Sequence, residues 1–166
     1  MRITYAPRGI LQIDDAYIIW RNFTGREEQY NRAGDRNFSL LIPNEDIAND
    51  LVAKGWNVKI KPARDANGNI LHDEPPFIHL PVKLKYTDRS APIAYLISGS
   101  KRTELDEESI ACLDDIEIRN VDLDIRPYDW EVNGKTGRTA YLHSIEVTQE
   151  IDRFTARYAE EEYPEE

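Results

Sequence analysis

The sequence predicts a mainly β protein built as a small barrel or sandwich, and three observations carry that prediction. Apolar and polar residues alternate with period two in several short runs. Turn signals of the Asn-Gly kind separate those runs. Helical spacing is confined to one or two short stretches, which favours a barrel or sandwich over an alternating α/β fold. A chain of 166 residues fits a single hydrophobic core, expected over residues 1–158, with a short tail at 159–166.

The elements follow in order. Ala16 to Phe23 (AYIIWRNF) is rich in β-branched and aromatic residues, and Arg36 to Ile42 (RNFSLLI) reads as its antiparallel partner. The twelve residues between them, Thr24 to Asp35, form a polar loop with two glycines, longer than a tight turn needs. A helix comes next: Asn44 caps it, Glu45 and Asp46 suit its first turn, Ile47, Leu51 and Val52 share a face, and Lys54-Gly55 stops it. Trp56 to Lys61 alternates, with Trp56, Val58 and Ile60 expected in the core and Asn57, Lys59 and Lys61 outside. After Asn67-Gly68, Phe77 to Tyr86 alternates again, and Pro81 within it implies an edge or a bulge. Ala94 to Ile97 is a short strand, and Asp106 to Leu113 a short helix that carries the lone Cys112 as a small buried side chain. Ile116 to Tyr128 and Arg138 to Ile151 flank Asn133-Gly134, the strongest hairpin signal in the chain. The apolar phase slips between Ile118 and Val121, which predicts a β-bulge near Arg119 and Asn120. The expected architecture is an OB-like (Greek-key) barrel of five to seven strands, with one or two short helices and a disordered acidic tail.

Charge and motif content narrow the function. No apolar run reaches the roughly 18–20 residues that span a bilayer, and the first residues lack the pattern of a signal peptide, so a cytoplasmic location is expected. His72, His79 and His143 stand apart without metal-ligand spacing, and no phosphate-binding glycine loop or nucleophile elbow is present; neither catalysis nor a cofactor nor a metal is expected. The net charge of −10 is polarised: residues 1–103 hold 15 Lys and Arg against 12 Asp and Glu, whereas residues 104–166 hold 6 against 19.

Basic and aromatic side chains interleave in the first part on strand faces that cannot all be core. Single strands are held by cations that track phosphates and by rings that stack on bases, each stack worth about 1–3 kcal/mol. The candidate contact residues are Arg21, Phe23, Arg26, Tyr30, Arg32 and Arg36 around the first loop. The two alternating strands add Asn57, Lys59 and Lys61, then Phe77, His79, Lys83 and Lys85. Trp56 and Tyr86 read as core, as does Phe38. The last two strands turn acidic residues outward, including Glu146 and Glu150, so one face should be positive and another negative.

The segments NFTGREEQYNRAGDRNFSLLI, GWNVKIKP and IRNVDLDIRPYDWEVNGKTGRTAYLHSIEV resemble a group of bacteriophage-encoded single-stranded DNA-binding proteins of OB fold, over about Tyr17 to Tyr158. The resemblance implies a replication or recombination protein that coats single strands without strong sequence preference. The end of the chain, Glu160, Glu161, Glu162, Tyr163, Glu165 and Glu166, is similar in kind to acidic tails that recruit partner enzymes, though it closes on YPEE without a terminal Phe. Such a tail could also fold over the basic face when DNA is absent, and assembly into an oligomer is open. Two rival readings use the acids instead. Asp114, Asp115, Asp122, Asp124 and the tail could mimic nucleic acid toward a basic host protein, or the aspartates could hold a divalent metal in a nuclease.

Overall fold

The computed structural model describes residues 1–87 and 89–151. In chain order its strands are β1 (Arg2–Tyr5), β2 (Leu11–Asp14), β3 (Ile18–Asn22), β4 (Arg36–Leu41), β5 (Lys59–Lys61), β6 (Phe77–Leu84), β7 (Ile93–Ser98), β8 (Lys101–Leu105), β9 (Ile118–Val132) and β10 (Lys135–Gln149). Helix α1 (Glu45–Ala53) lies between β4 and β5, and a 3₁₀ helix, Ser109–Asp114, precedes β9. The cap of α1 is the expected one: the Asn44 side chain accepts a hydrogen bond from the Ile47 N–H at 2.9 Å, and Ala48 and Leu51 are buried.

β3, β4 and β6 form an antiparallel meander. β6 then runs parallel to β10, and β10 pairs antiparallel with β9. The Ala16 N–H, just ahead of β3, donates to the Val121 carbonyl on β9 at 2.8 Å and brings the first strand of this set against the fourth. Numbered within the set, the sheet order is 1-2-3-5-4, that of an OB fold, and this one hydrogen bond links its two ends. Phe23, Phe38, Leu40, Leu80, Ile125 and Leu142 are fully buried inside it.

Ten strands are present among the described residues, more than the five to seven expected, because three additions lack a long apolar rhythm. β1 and β2 are four-residue strands docked on β9. β8 (KRTEL) is an edge strand in which Leu105 alone is buried, and charge on an edge discourages further pairing. β5 also departs from expectation. Trp56 is buried before the strand begins, but β5 pairs with β6 alone and leaves Ile60 half exposed. Val52 likewise faces solvent, and Cys112 is only partly buried.

Pro81 sits where its missing N–H costs no ladder bond. Leu41 donates toward β3, to the Tyr17 carbonyl, so the β6 residues opposite Leu41, Ser39 and Asn37 point their N–H groups away from β4. On that far side β5 stops at His79 and the contact with β10 starts at Val82, which leaves Pro81 in the gap. Bulges set the phase elsewhere. Arg119 is the extra residue on β9, as the slipped apolar pattern predicts, and His143 is a second on β10. A third lies in β3, where Trp20 and Arg21 oppose a single β4 residue.

Candidate nucleic-acid interface

Residues directly opposite each other in a sheet share a face. The register therefore places Asn37, Lys83, Tyr141 and Arg126 in one row across β4, β6, β10 and β9, on the outer side of the barrel. The neighbouring rows are Ser39 with Pro81, then Leu41, His79 and Lys59, then Phe77 with Lys61. A groove of about 460 Å³ runs over this face, with Asn37, Ser39 and Pro81 among its lining residues and Tyr30, Lys83, Lys85 and Tyr141 along its sides. Among the described residues, Lys59, Lys61, Lys83 and Lys85 make no ion pair, so their charge is not neutralised locally.

At the β5 end three rings pack together. Trp20 lies 5.2 Å from Phe77 and 4.9 Å, edge-on, from His79, and Lys61 approaches the indole at 5.7 Å. Trp20 is 57% exposed and holds a left-handed backbone with φ of 52°, a conformation that costs a bulky L-residue roughly 1–2 kcal/mol. His79 belongs to the outer phase yet is 6% exposed, because the indole covers it. Its Nδ1 meets Ser39 Oγ at 3.1 Å and its buried Nε2 has no partner among the described residues. Burial, followed by Lys61 and Lys59, holds the imidazole below the ordinary histidine range.

The bulge in β3 explains the exchange between Trp20 and Phe23. With regular alternation Phe23 would face outward, as the contact reading expects. The extra residue reverses the phase, so Phe23 is fully buried and stacked on Phe38 at 5.3 Å, while Trp20 comes out over the face. Phe23 is thus a core residue. Arg21 and Arg36 are also engaged elsewhere. The Arg21 guanidinium donates to the Leu113 and Ile116 carbonyls at 2.7 and 2.8 Å, away from the groove. Arg36 reaches the groove edge, but its guanidinium donates to the carbonyls of Phe23 and Glu107 and lies 5.1 Å over Tyr86, whose hydroxyl burial pushes up to about 12.

The loop between β3 and β4 is internally stapled. Asn22 Oδ1 accepts from the Gly25 and Arg26 N–H groups, Asp114 accepts from those of Phe23 and Thr24, and the Asn31 amide donates to three carbonyls. This frame presents Tyr30, 93% exposed, at the groove wall. Arg26 faces Glu28 at 3.8 Å, and Arg32 and Asn57 are exposed outside the groove lining. The tail residues Glu160, Glu161, Glu162, Tyr163, Glu165 and Glu166 lie outside the described residues.

The row also contains residues that the sequence reading did not select. Arg126 lies 4.7 Å over the Tyr141 ring, and Tyr128, 53% exposed, meets Tyr141 edge-on at 6.0 Å. Trp130 continues the same side of β9 toward the turn. Its indole lies across Gly137 on the opposite strand, so closely that a Cβ there would fall 2.3 Å from Cζ2. The run Arg126-x-Tyr128-x-Trp130 is the sequence signal for these residues, masked by a strand whose expected end is Tyr128. In the structure β9 and β10 continue to the turn, where Asn133 and Gly134 both have positive φ, as a two-residue hairpin of type I′ requires. Toward the other end of the hairpin the outer side is acidic. Asp122 and Glu146 are opposite each other, and Asp124 lies across from Ser144. Asp122 accepts from the Asp15 N–H and Asp114 is spent on the loop. Among the described residues no acidic or His/Cys group is arranged to hold a metal.

An OB barrel whose outer face gathers lysines from β5, β6 and the residues just after β6 with rings from β3, β10 and the β3–β4 loop has the features of a single-strand-binding module. Residues 2–166 match the phage ssDNA-binding domain, and the chain belongs to that family, a binding family and not a catalytic one. Its fold is similar to that of the single-stranded DNA-binding protein of bacteriophage Enc34. In complex with ssDNA, that protein is 14% identical with a TM-score of 0.52 over 92% of this chain and 93% of the other. A C-terminally truncated form gives 13% and 0.51 over 90% and 91%. No curated protein sequence matches the chain. No helix among the described residues is long and apolar enough to cross a membrane.

Proposed function

We propose that this chain coats single-stranded DNA without sequence preference, in phage replication or recombination within the host cytoplasm. The outer face of β4, β6 and the turn-proximal part of the β9–β10 hairpin is the contact surface. The observation that carries this reading is the row Asn37, Lys83, Tyr141 and Arg126, which joins four strands into one cationic, aromatic track. Lys59, Lys61, Phe77 and Trp20 extend it at one end, and Tyr30 and Lys85 border it. Residues 1–158 act as one domain in this reading. The tail from 159 to 166 competes for the track when DNA is absent and recruits replication or recombination proteins when DNA displaces it.

The test is fluorescence anisotropy with a labelled oligo-dT strand across a salt series, for the full chain and for a form lacking residues 159–166. The logarithm of affinity should fall with log salt by about 0.7 for each phosphate neutralised. Removal of the tail should tighten binding, most at low salt. A salt-independent affinity, or equal affinity for duplex of the same length, would defeat the strand-binding reading; an unchanged affinity on truncation would defeat only the role of the tail.

A further inference from the structure

Two local costs meet under Trp20, and the fold accounts for neither. A bulky residue holds a left-handed backbone in the β3 bulge, and an outward-phase histidine keeps Nε2 buried with no partner among the described residues. The imidazole is enclosed by Trp20 from β3, Ser39 from β4 and Phe77 from its own strand, and the charged groups acting on it, Lys59 and Lys61 of β5, are both positive. A ring nitrogen with no partner among the described residues, on a strand paired with Lys59 and Lys61, is a site for an anion, closed by an indole that itself has most of its surface in solvent.

Resting on the strand-binding reading, we propose that His79 is a phosphate subsite of the track, capped by Trp20. A base of the bound strand draws the indole outward into a stack, and the uncovered Nε2–H donates to the adjoining phosphodiester with Lys59 and Lys61 as flanking cations. Ser39 holds Nδ1 and fixes the ring orientation throughout.

A proton linkage follows. Covered, the imidazole is held neutral by burial and by the two lysines. Uncovered beside a phosphate it favours the imidazolium, so binding takes up one proton from solvent at Nε2 or Nδ1. Between the two titration points affinity rises as pH falls, by up to about tenfold per pH unit for one linked proton.

The decisive experiment follows the ring protons of His72, His79 and His143 by NMR against pH, in the full chain with and without saturating oligo-dT. His79 should titrate below about 6.5 alone and at least about one unit higher in the complex. In parallel, anisotropy should show wild-type affinity gaining about tenfold from pH 8 to 6, with His79→Gln flat across that range. Strand binding with an unmoved His79 titration would overturn the subsite and leave the strand-binding reading intact. No binding by the wild-type chain at any pH would remove both.

Discussion

The β9–β10 hairpin and the β7–β8 pair beside it carry the same motif, with opposite surroundings. In its turn-proximal half Arg126 lies over the ring of Tyr141; toward the other end Arg102 of β8 lies over Tyr95 of β7, beside β10, at 3.8 Å. Arg102 is bound to Glu146 at 3.3 Å and looks onto Asp122 and Asp124, whereas Arg126 has no ion pair among the described residues. The difference lies in the charges at each end of β10. Where β10 runs beside β6 it meets Lys83; beyond the His143 bulge it runs beside β7, which carries no charged residue, and its own Glu146 joins Asp122 and Asp124 of β9. In the proposed strand-binding reading, a cation over a ring is a ligand platform in one half and a closed internal contact in the other. Local charge balance decides which, more than the motif itself.

The hardest way to break this comparison is to reverse charge where it is free. Lys83→Glu with Lys85→Glu should weaken oligo-dT binding about a hundredfold at physiological salt and flatten the salt slope. The neutralising pair Asp124→Asn and Glu146→Gln should leave affinity within about threefold. Equal losses from both pairs, measured by anisotropy, would mean that the two halves are not functionally distinct.

The rings give a smaller and sharper contrast. Tyr141→Ala should lose one base stack, worth about 1–3 kcal/mol, while Tyr141→Phe keeps nearly all of the affinity. Tyr95→Ala removes a ring of the same kind under an equally placed arginine, and it should not change binding. A loss at Tyr95 comparable with that at Tyr141 would extend the track across the acidic end.

How far this could be read from the sequence depended on strand regularity. The β6 rhythm placed Phe77, His79, Lys83 and Lys85 on the outer phase, and the slipped pattern located the bulge at Arg119, because in each case period two ran long enough to fix a phase. Trp20 was missed and Phe23 misplaced for one reason: a single extra residue in the short β3 reverses the phase, and nothing in the run IIWRNF marks where it sits. Arg21 and Arg36 read as contact residues because a charge on a strand signals exposure, whereas both guanidinium groups satisfy carbonyls from distant parts of the chain. Burial of His79 was equally hidden, since its cap, Trp20, comes from β3, two strands away in the sheet, and adds to Phe77 and Ser39 beside it.

The back of the same hairpin supplies the smallest test, because it separates holding the track in place from touching DNA. On the side away from Tyr128 and Tyr141, Arg138 donates to Asp129 at 2.7 Å and to the Lys54 carbonyl at 2.7 Å, and it lies 5.2 Å over Trp56. This contact ties the arm to the end of α1. The hydrogen bond from Arg138 holds the Asp129 carboxyl below its usual range. A carboxyl depressed in the fold contributes stability above its unfolded value near 3.8 and loses it as pH falls through the folded value. Asp129→Asn should therefore cost no more than about 1 kcal/mol at pH 7, as a largely exposed pair does. The gap from wild type, followed by urea midpoints, should close as the pH drops below about 4. Oligo-dT affinity at pH 7 should change less than it does for Tyr141→Ala, since a loosened arm still presents the same rings. A loss as large as that of Tyr141→Ala would mean that the rigidity of the arm, and not the stacking surface alone, sets the affinity of the basic half.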